Sequence, residues 1–372
     1  MRRLLPVIIL LLVAAGLVVR ADIPCDTVRL QPDCYITLNP GPTENALGMV
    51  SVSGERTYAS AGQLRITTVT VDTDLSLRDW VASAFSRRVD QVPREAFIPP
   101  GADAEEARRI SVAAMSESQL DATIAALRSL GHEVDEEPRG AQVGGLLPDL
   151  PAEDQLELGD VIVAVDGETV SSADEAAELL GDRRPGEVVT LTVLRALDEA
   201  EGTGHDVEGQ HRDELTGEAE LAADRDEPDR GLLGVLLMDH LALPLDVRID
   251  AGRVGGPSAG LMFALAAVDV LTPEDLTGGA VVAGTGSVDR DGRVGAMGGV
   301  RQKLIAAVNE ADVAATVFLV PAANADDARG APVSRQVRIV PVRTLGDAVR
   351  ALEDVRAGRS PEGSFSIGGS GG

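Results

Sequence analysis

Hydrophobic periodicity lapses once in the interior of this chain, and that lapse limits how the chain can fold. Residues 196–230 are dense in Asp and Glu, carry His205 and His211, and show no apolar spacing of helix or strand period. Such a stretch buries too little apolar surface to order itself, so it is expected to be an acidic, solvated linker. The two histidines have neither the spacing nor the partners of a metal tract, and no metal site is expected. Separate bodies are therefore expected on either side of it.

Residues 231–357 read as an α/β domain. Strand-like runs at 232–237, 245–249, 280–283, 315–320 and 336–340 alternate with helical spacing at 259–270, 300–310 and 345–351. With aromatics at 2%, the core must be aliphatic. The first helix begins Gly255-Gly256-Pro257-Ser258-Ala259-Gly260. Its glycines allow close backbone approach and Pro257 fixes the angle of the turn. Ser258 then sits where unpaired N–H groups and the helix dipole favour negative charge. Gly256, Pro257 and Ala259 are candidates for backbone support of an oxyanion. A serine at a helix start is more often an N-cap, so Ser258 alone is a weak signal.

The second signal is Gly298-Gly299-Val300-Arg301-Gln302-Lys303, followed by apolar residues 304–307. Of 33 basic residues, Lys303 is the only lysine. Arginine stays protonated, whereas a lysine against an apolar surface loses its proton more readily and can act as a base. Ser258 as nucleophile and Lys303 as its base is the chemistry these residues allow. The same count excludes a Walker A loop, which needs Gly-Lys-Ser/Thr, so no nucleotide or other cofactor is expected. A formal net charge of −27 argues against a nucleic-acid partner.

Upstream, residues 22–115 are expected to form a juxtamembrane α/β region, with a strand at 64–71 and a helix at 75–85 capped by Asp74. A second helix is expected at 117–127 with Ser116 as its cap. Residues 116–195 form a further unit: a strand at 161–165, the Asp166-Gly167 turn, a helix at 172–180 and a strand at 188–194. Residues 358–372 are rich in Ser, Gly and Pro and read as a flexible tail.

Residues 4–19 form an apolar run between Arg2-Arg3 and Arg20. As a helix it would span about 24 Å, somewhat short of a hydrocarbon core of about 30 Å. A retained anchor over residues 1–21 and a cleaved signal peptide both fit. The expectation adopted is a single-pass anchor in the cell membrane with the remaining domains extracytoplasmic, since Arg2 and Arg3 favour the inner side. Cys25 and Cys34 follow directly; a disulfide suits that compartment, two inert thiols being the alternative.

The phrases "GDVIVAVDG" and "RPGEVVTLTV" resemble a bacterial PDZ domain. The resemblance implies a groove for peptide termini, with Leu130, Gly131 and His132 as the carboxylate loop and Ala173, Ala176, Ala177 and Leu180 as the lining helix. Gly-Pro-Ser-Ala-Gly around Ser258 and the Gly-Gly-x-x-x-Lys-Leu phrase ending at Lys303-Leu304 resemble the Lon proteolytic domain. That likeness implies a Ser–Lys dyad, and a homo-oligomeric ring. Nearly the whole chain is similar to the family joining a PDZ domain to a Lon-type protease behind one membrane segment. This chain has Gly255 where ATP-dependent Lon proteases have Asp, and Ala283 where they have Thr; Thr285 is the nearby substitute. The expectation is an ATP-independent serine endopeptidase acting on proteins or peptides. The alternative is a PDZ peptide-binding scaffold whose protease domain is vestigial or acts only on itself.

Overall fold

The structure is a computed structural model that describes residues 34–97, 104–147, 150–181, 183–196, 205–207, 210–224, 227–252 and 254–369. The described chain opens with β1 (Tyr35–Asn45), β2 (Val50–Ser53), β3 (Gln63–Asp72), α1 (Leu77–Ala84), β4 (Asp90–Pro93) and the long helix α2 (Ala104–Ser129). Next come β5 (Pro138–Leu146), β6 (Val161–Val165), α3 (Ala173–Gly181), β7 (Val188–Ala196), β8 (His205–Val207), β9 (Gln210–Glu220) and β10 (Val235–Leu241). The last third holds β11 (Asp246–Ile249), α4 (Gly260–Leu271), β12 (Val281–Gly284), α5 (Val300–Ile305), β13 (Val317–Pro321), β14 (Val337–Val342), α6 (Leu345–Arg356) and β15 (Phe365–Ile367).

One seven-stranded sheet draws on both ends of the chain, in the order β15-β14-β13-β12-β3-β1-β4. β12 runs parallel to β3 and to β13, while β1 is antiparallel to β3. The region expected to stand apart at 22–115 therefore supplies three strands to the C-terminal domain. Its alternating Leu64 and Ile66 are fully buried there. Helix α4 is apolar apart from Asp269 and is buried from Gly260 to Val270, the pattern of a central helix. α2 packs beside it, with Met115, Ala122, Ala125, Ala126 and Leu127 in the same aliphatic cluster.

The second sheet follows the path β10-β5-β6-β7-β9-β8 and lies in sequence between α2 and β11. It is an insertion into the first domain. The stretch expected to be a linker at 196–230 is largely part of it: β9 pairs with β7 over nine residues, from Arg212↔Ala196 to Glu220↔Val188. Alternation explains the miss. Ala219 and Leu221 face the core beside Val189 and Leu191, while Glu218 and Glu220 face water.

Two caps also differ from expectation. Ser76, not Asp74, caps α1, its side chain accepting from the Asp79 amide. Ser116 lies inside α2, whose start is Ala104. Cys34 is buried and disulfide-bonded, while Cys25 lies outside the described residues. The apolar run at 4–19 also lies outside them. Among the described residues no helix is long and apolar enough to cross a membrane.

Candidate active site

Four segments converge on Ser258. The turn itself begins at Gly256, whose φ of 80° suits glycine, and continues as a single 3-10 turn from Pro257 to Ala259. α4 starts at its end, and the Leu261 amide donates to Gly286 O at 3.0 Å. From the end of β12, the Gly286 amide donates to the Ser258 carbonyl at 2.9 Å, and Thr285 Oγ1 donates to the same oxygen at 3.2 Å. β3 braces this segment through Thr67 Oγ1, which donates to Gly284 O at 2.8 Å. α2 closes the far side: Ser118 Oγ donates to Pro257 O at 3.1 Å, and the Gly256 amide donates to Ser111 O at 3.1 Å.

Lys303 comes from α5, which the left-handed Gly299 (φ 70°) starts. A side chain at Gly299 would collide with Val69 of β3, so glycine lets the helix settle on the sheet. Lys303 is 3% exposed and its Nζ donates to Thr285 Oγ1 at 2.9 Å. Burial lowers its pKa to about 8. Thr285 is fully buried, and its one hydroxyl proton is committed to the Ser258 carbonyl. It must therefore accept from the lysine, whether that group is charged or neutral. A neutral Lys303 held this way keeps its lone pair free for another proton.

Ser258, Lys303 and Thr285 are thus brought together, with Thr285 touching the other two. Thr285 serves the lysine and the Ser258 carbonyl rather than an oxyanion. Pro257 has no N–H to offer, and the Gly256 amide is already spent on α2. Ala259 is buried beside Ser258. Ser111 and Ser118 carry no sequence signal of their own, since two serines seven apart on a helix are common.

The expected peptide loop and helix are not brought together. The Gly131 and His132 amides donate to Arg128 O and Leu127 O, and that of Leu130 to Ala126 O and Leu127 O. This is a Schellman cap closing α2, so these amides are not available to a carboxylate. Leu130 packs against the first core. Ala176 and Leu180 point into the second core, Ala173 packs against it, and Ala177 faces solvent. His240, on β10, has its pKa lowered to about 4 by burial and then by Arg212 and Arg139, so it is neutral.

An α/β core presenting a serine and a buried lysine, interrupted by an inserted β-rich unit, defines a peptidase-like class with a binding module. Residues 242–353 match the Lon protease (S16) C-terminal proteolytic domain, and residues 129–207 match the PDZ domain. The chain carries both domains. It is 38% identical over 107 residues to the Lon protease of Neorickettsia sennetsu, covering 28% of this chain and 12% of that protein. It is 46% identical over 61 residues to a probable periplasmic serine endoprotease, DegP-like, of Halomonas elongata, covering 16% of this chain and 13% of that one. The chain thus spans about an eighth of the length of these relatives. Among solved structures, the PDZ domain of an SdrC-like protein from Listeria monocytogenes matches at 21% identity with a TM-score of 0.21, covering 28% of this chain and 93% of that one.

Proposed function

We propose that this protein is a serine endopeptidase in which Ser258 is the nucleophile and Lys303 the general base. The observation that carries this is the single lysine, buried to 3% exposure and hydrogen-bonded to Thr285, whose hydroxyl holds the Ser258 carbonyl. Neutral Lys303 takes the Ser258 hydroxyl proton as Oγ attacks the substrate carbonyl carbon. The resulting oxyanion is assigned to the amides of Ser258 and Ala259 in the turn that leads into α4, since those of Gly260 and Leu261 are held by Pro257 O and Gly286 O. The lysine ammonium then gives its proton to the departing amine, leaving an acyl ester on Ser258. Water, deprotonated by the same lysine, hydrolyses that ester.

Ser258 is half-buried, and the cleft of about 610 Å³ between α2, the PDZ strands β5 and β10, and residues 243–254 is assigned as the approach of a substrate chain, its lining ending at Val254, four residues before the serine. Peptide recognition by the PDZ domain is assigned to the outer edge of β10, the terminal strand of its sheet, where an extended segment can add. An outward-facing, membrane-anchored placement rests on the apolar run at 4–19 behind Arg2-Arg3. No step needs a nucleotide, so casein cleavage by this chain is expected to be the same with and without ATP.

The test is peptide turnover by the wild type, Ser258→Ala and Lys303→Arg, with thermal unfolding as the folding control. Both variants should fold and lose about 10²–10⁴-fold in rate, since arginine keeps the charge but cannot accept the proton. An Lys303→Arg variant retaining about a third of wild-type activity would move the base elsewhere. Failure of a serine-directed phosphonate to label wild-type Ser258 would favour a PDZ scaffold with a dead protease domain.

A further inference from the structure

Helix α2 is wedged between the PDZ sheet and the nucleophile turn, and it touches each through its backbone and through short side chains that leave little room for displacement. On the catalytic side are Ser111 and Ser118, seven residues apart and so on one helix face. Ser111 O accepts from the Gly256 amide and Ser118 Oγ donates to Pro257 O, both at 3.1 Å. The glycines flanking Ser258 fit α2 as closely as they fit the turn. A Cβ on Gly255 would lie 2.4 Å from Ser111 Oγ, and one on Gly260 would lie 2.7 Å from Ser118 Oγ.

On another face of the same helix stand Val112 and Ser116. Ser116 Oγ donates to Gly144 O in β5 at 2.8 Å. A Cβ on Gly145 would lie 3.1 Å from Val112 Cγ1, and one on Gly144 would lie 3.4 Å from Ser116. The cleft lies along this face, lined by Val112, Met115 and Ser116. Both covalent connections of the PDZ domain also lead to the site. α2 passes into it through the Gly131 cap, and β10 returns through β11 to Gly255. Arg290, paired with Asp121 of α2 and Glu136 of the PDZ connection, ties the first of these to the turn after β12.

We propose that α2 is the positioning element of the nucleophile and couples the PDZ domain to it, Ser118 holding the turn and Ser116 holding the PDZ sheet. The proposal rests on Ser258 being the nucleophile. Closely packed cores shift between discrete arrangements rather than deform smoothly. A movement of β5, driven by a peptide on the PDZ sheet or in the cleft, therefore moves α2 and with it the Pro257 carbonyl and Gly256 amide. Ser258 follows.

The experiment uses the full chain with Ser116→Ala, Ser118→Ala and both together, each checked for unchanged thermal unfolding. Ser118→Ala should lower kcat for a peptide substrate about five- to tenfold with KM unchanged, the effect of one lost hydrogen bond. It should slow labelling of Ser258 by a small fluorophosphonate equally. Ser116→Ala, which touches only the PDZ side, should raise hydrogen exchange at the Gly256 and Leu261 amides, and the double variant should lose less than the two singles combined. Unchanged exchange at Gly256 and Leu261 in Ser116→Ala, or strictly additive losses, would overturn the coupling. If the wild type is never labelled at Ser258, the peptidase reading fails, yet the exchange measurement still decides whether α2 links the PDZ domain to this turn.

Discussion

At pH 7 a lysine with a pKa of about 8 is still protonated in about nine molecules of ten, so most of the protein holds a buried charge. Two outcomes follow. The base must be neutral, so kcat/KM should rise with pH and level off above a midpoint near 8, while a flat profile between pH 6.5 and 9 would remove Lys303 from the role. Stability should show the same group with its own sign. The folded pKa lies below the ordinary 10.5, so the unfolded chain binds the proton more tightly between pH 8 and 10.5 and stability rises across that window. Below pH 8 the buried charge costs about 3 kcal/mol. Lys303→Met should therefore be inactive yet melt several degrees higher than wild type at pH 7, with the gap closing by pH 10. A Met variant that melts lower at pH 7 would mean the ammonium is better solvated than its burial implies.

Strand β9 shows how an element can be hidden by its own exposed face. Its partner β7 was legible, because β-branched residues alternate beside a Pro-Gly turn, but β9 is exposed from Glu214 to Glu218 and again at Glu220, a run mostly of acidic and small residues. Only Ala219, and Leu221 just beyond it, mark the inner face, too few to register as a period. Leu221→Ala should thus cost about 2–5 kcal/mol, as for any buried leucine, and loosen the PDZ unit first. Hydrogen exchange confined to residues 138–241 would show it; no change in protection there would return this stretch to a linker. β12, β13 and β14 were legible for the opposite reason, since parallel strands inside a sheet read as apolar runs, whereas β15, an antiparallel edge strand, lies in the stretch expected to be a flexible tail. At the site, Ser258 and Lys303 could be picked out because their chemistry constrains their neighbours. The serines of α2 could not, because their role depends on the approach of a distant turn.

The division of the chain into bodies was the least legible feature, because an insertion leaves no local mark where two distant segments rejoin. β3 lies inside the main sheet between β12 and β1. A fragment beginning at residue 231, which the sequence suggested as a complete protease domain, would expose the edge of β12 and uncover the core around Leu64 and Ile66. It should be insoluble or lack a cooperative melting transition. Adding residues 34–129 as a separate chain should restore folding, and activity if Ser118 reaches the turn. A stably folded, active 231–357 fragment would show that β1 and β3 are accessories.

The bond between Thr67 and the Gly284 carbonyl spans 217 residues of chain. At about 5–20 residues per second of synthesis, β3 waits roughly ten to forty seconds for β12 to exist. During that interval the PDZ unit, complete by Leu241, has time to fold first. The N-terminal strands β3, β1 and β4 meanwhile remain a three-stranded antiparallel sheet with one edge unpaired. The order of manufacture is thus the reverse of the order in sequence: the insert matures before its host, and the protein has no assembled Ser258 site until its last third has emerged.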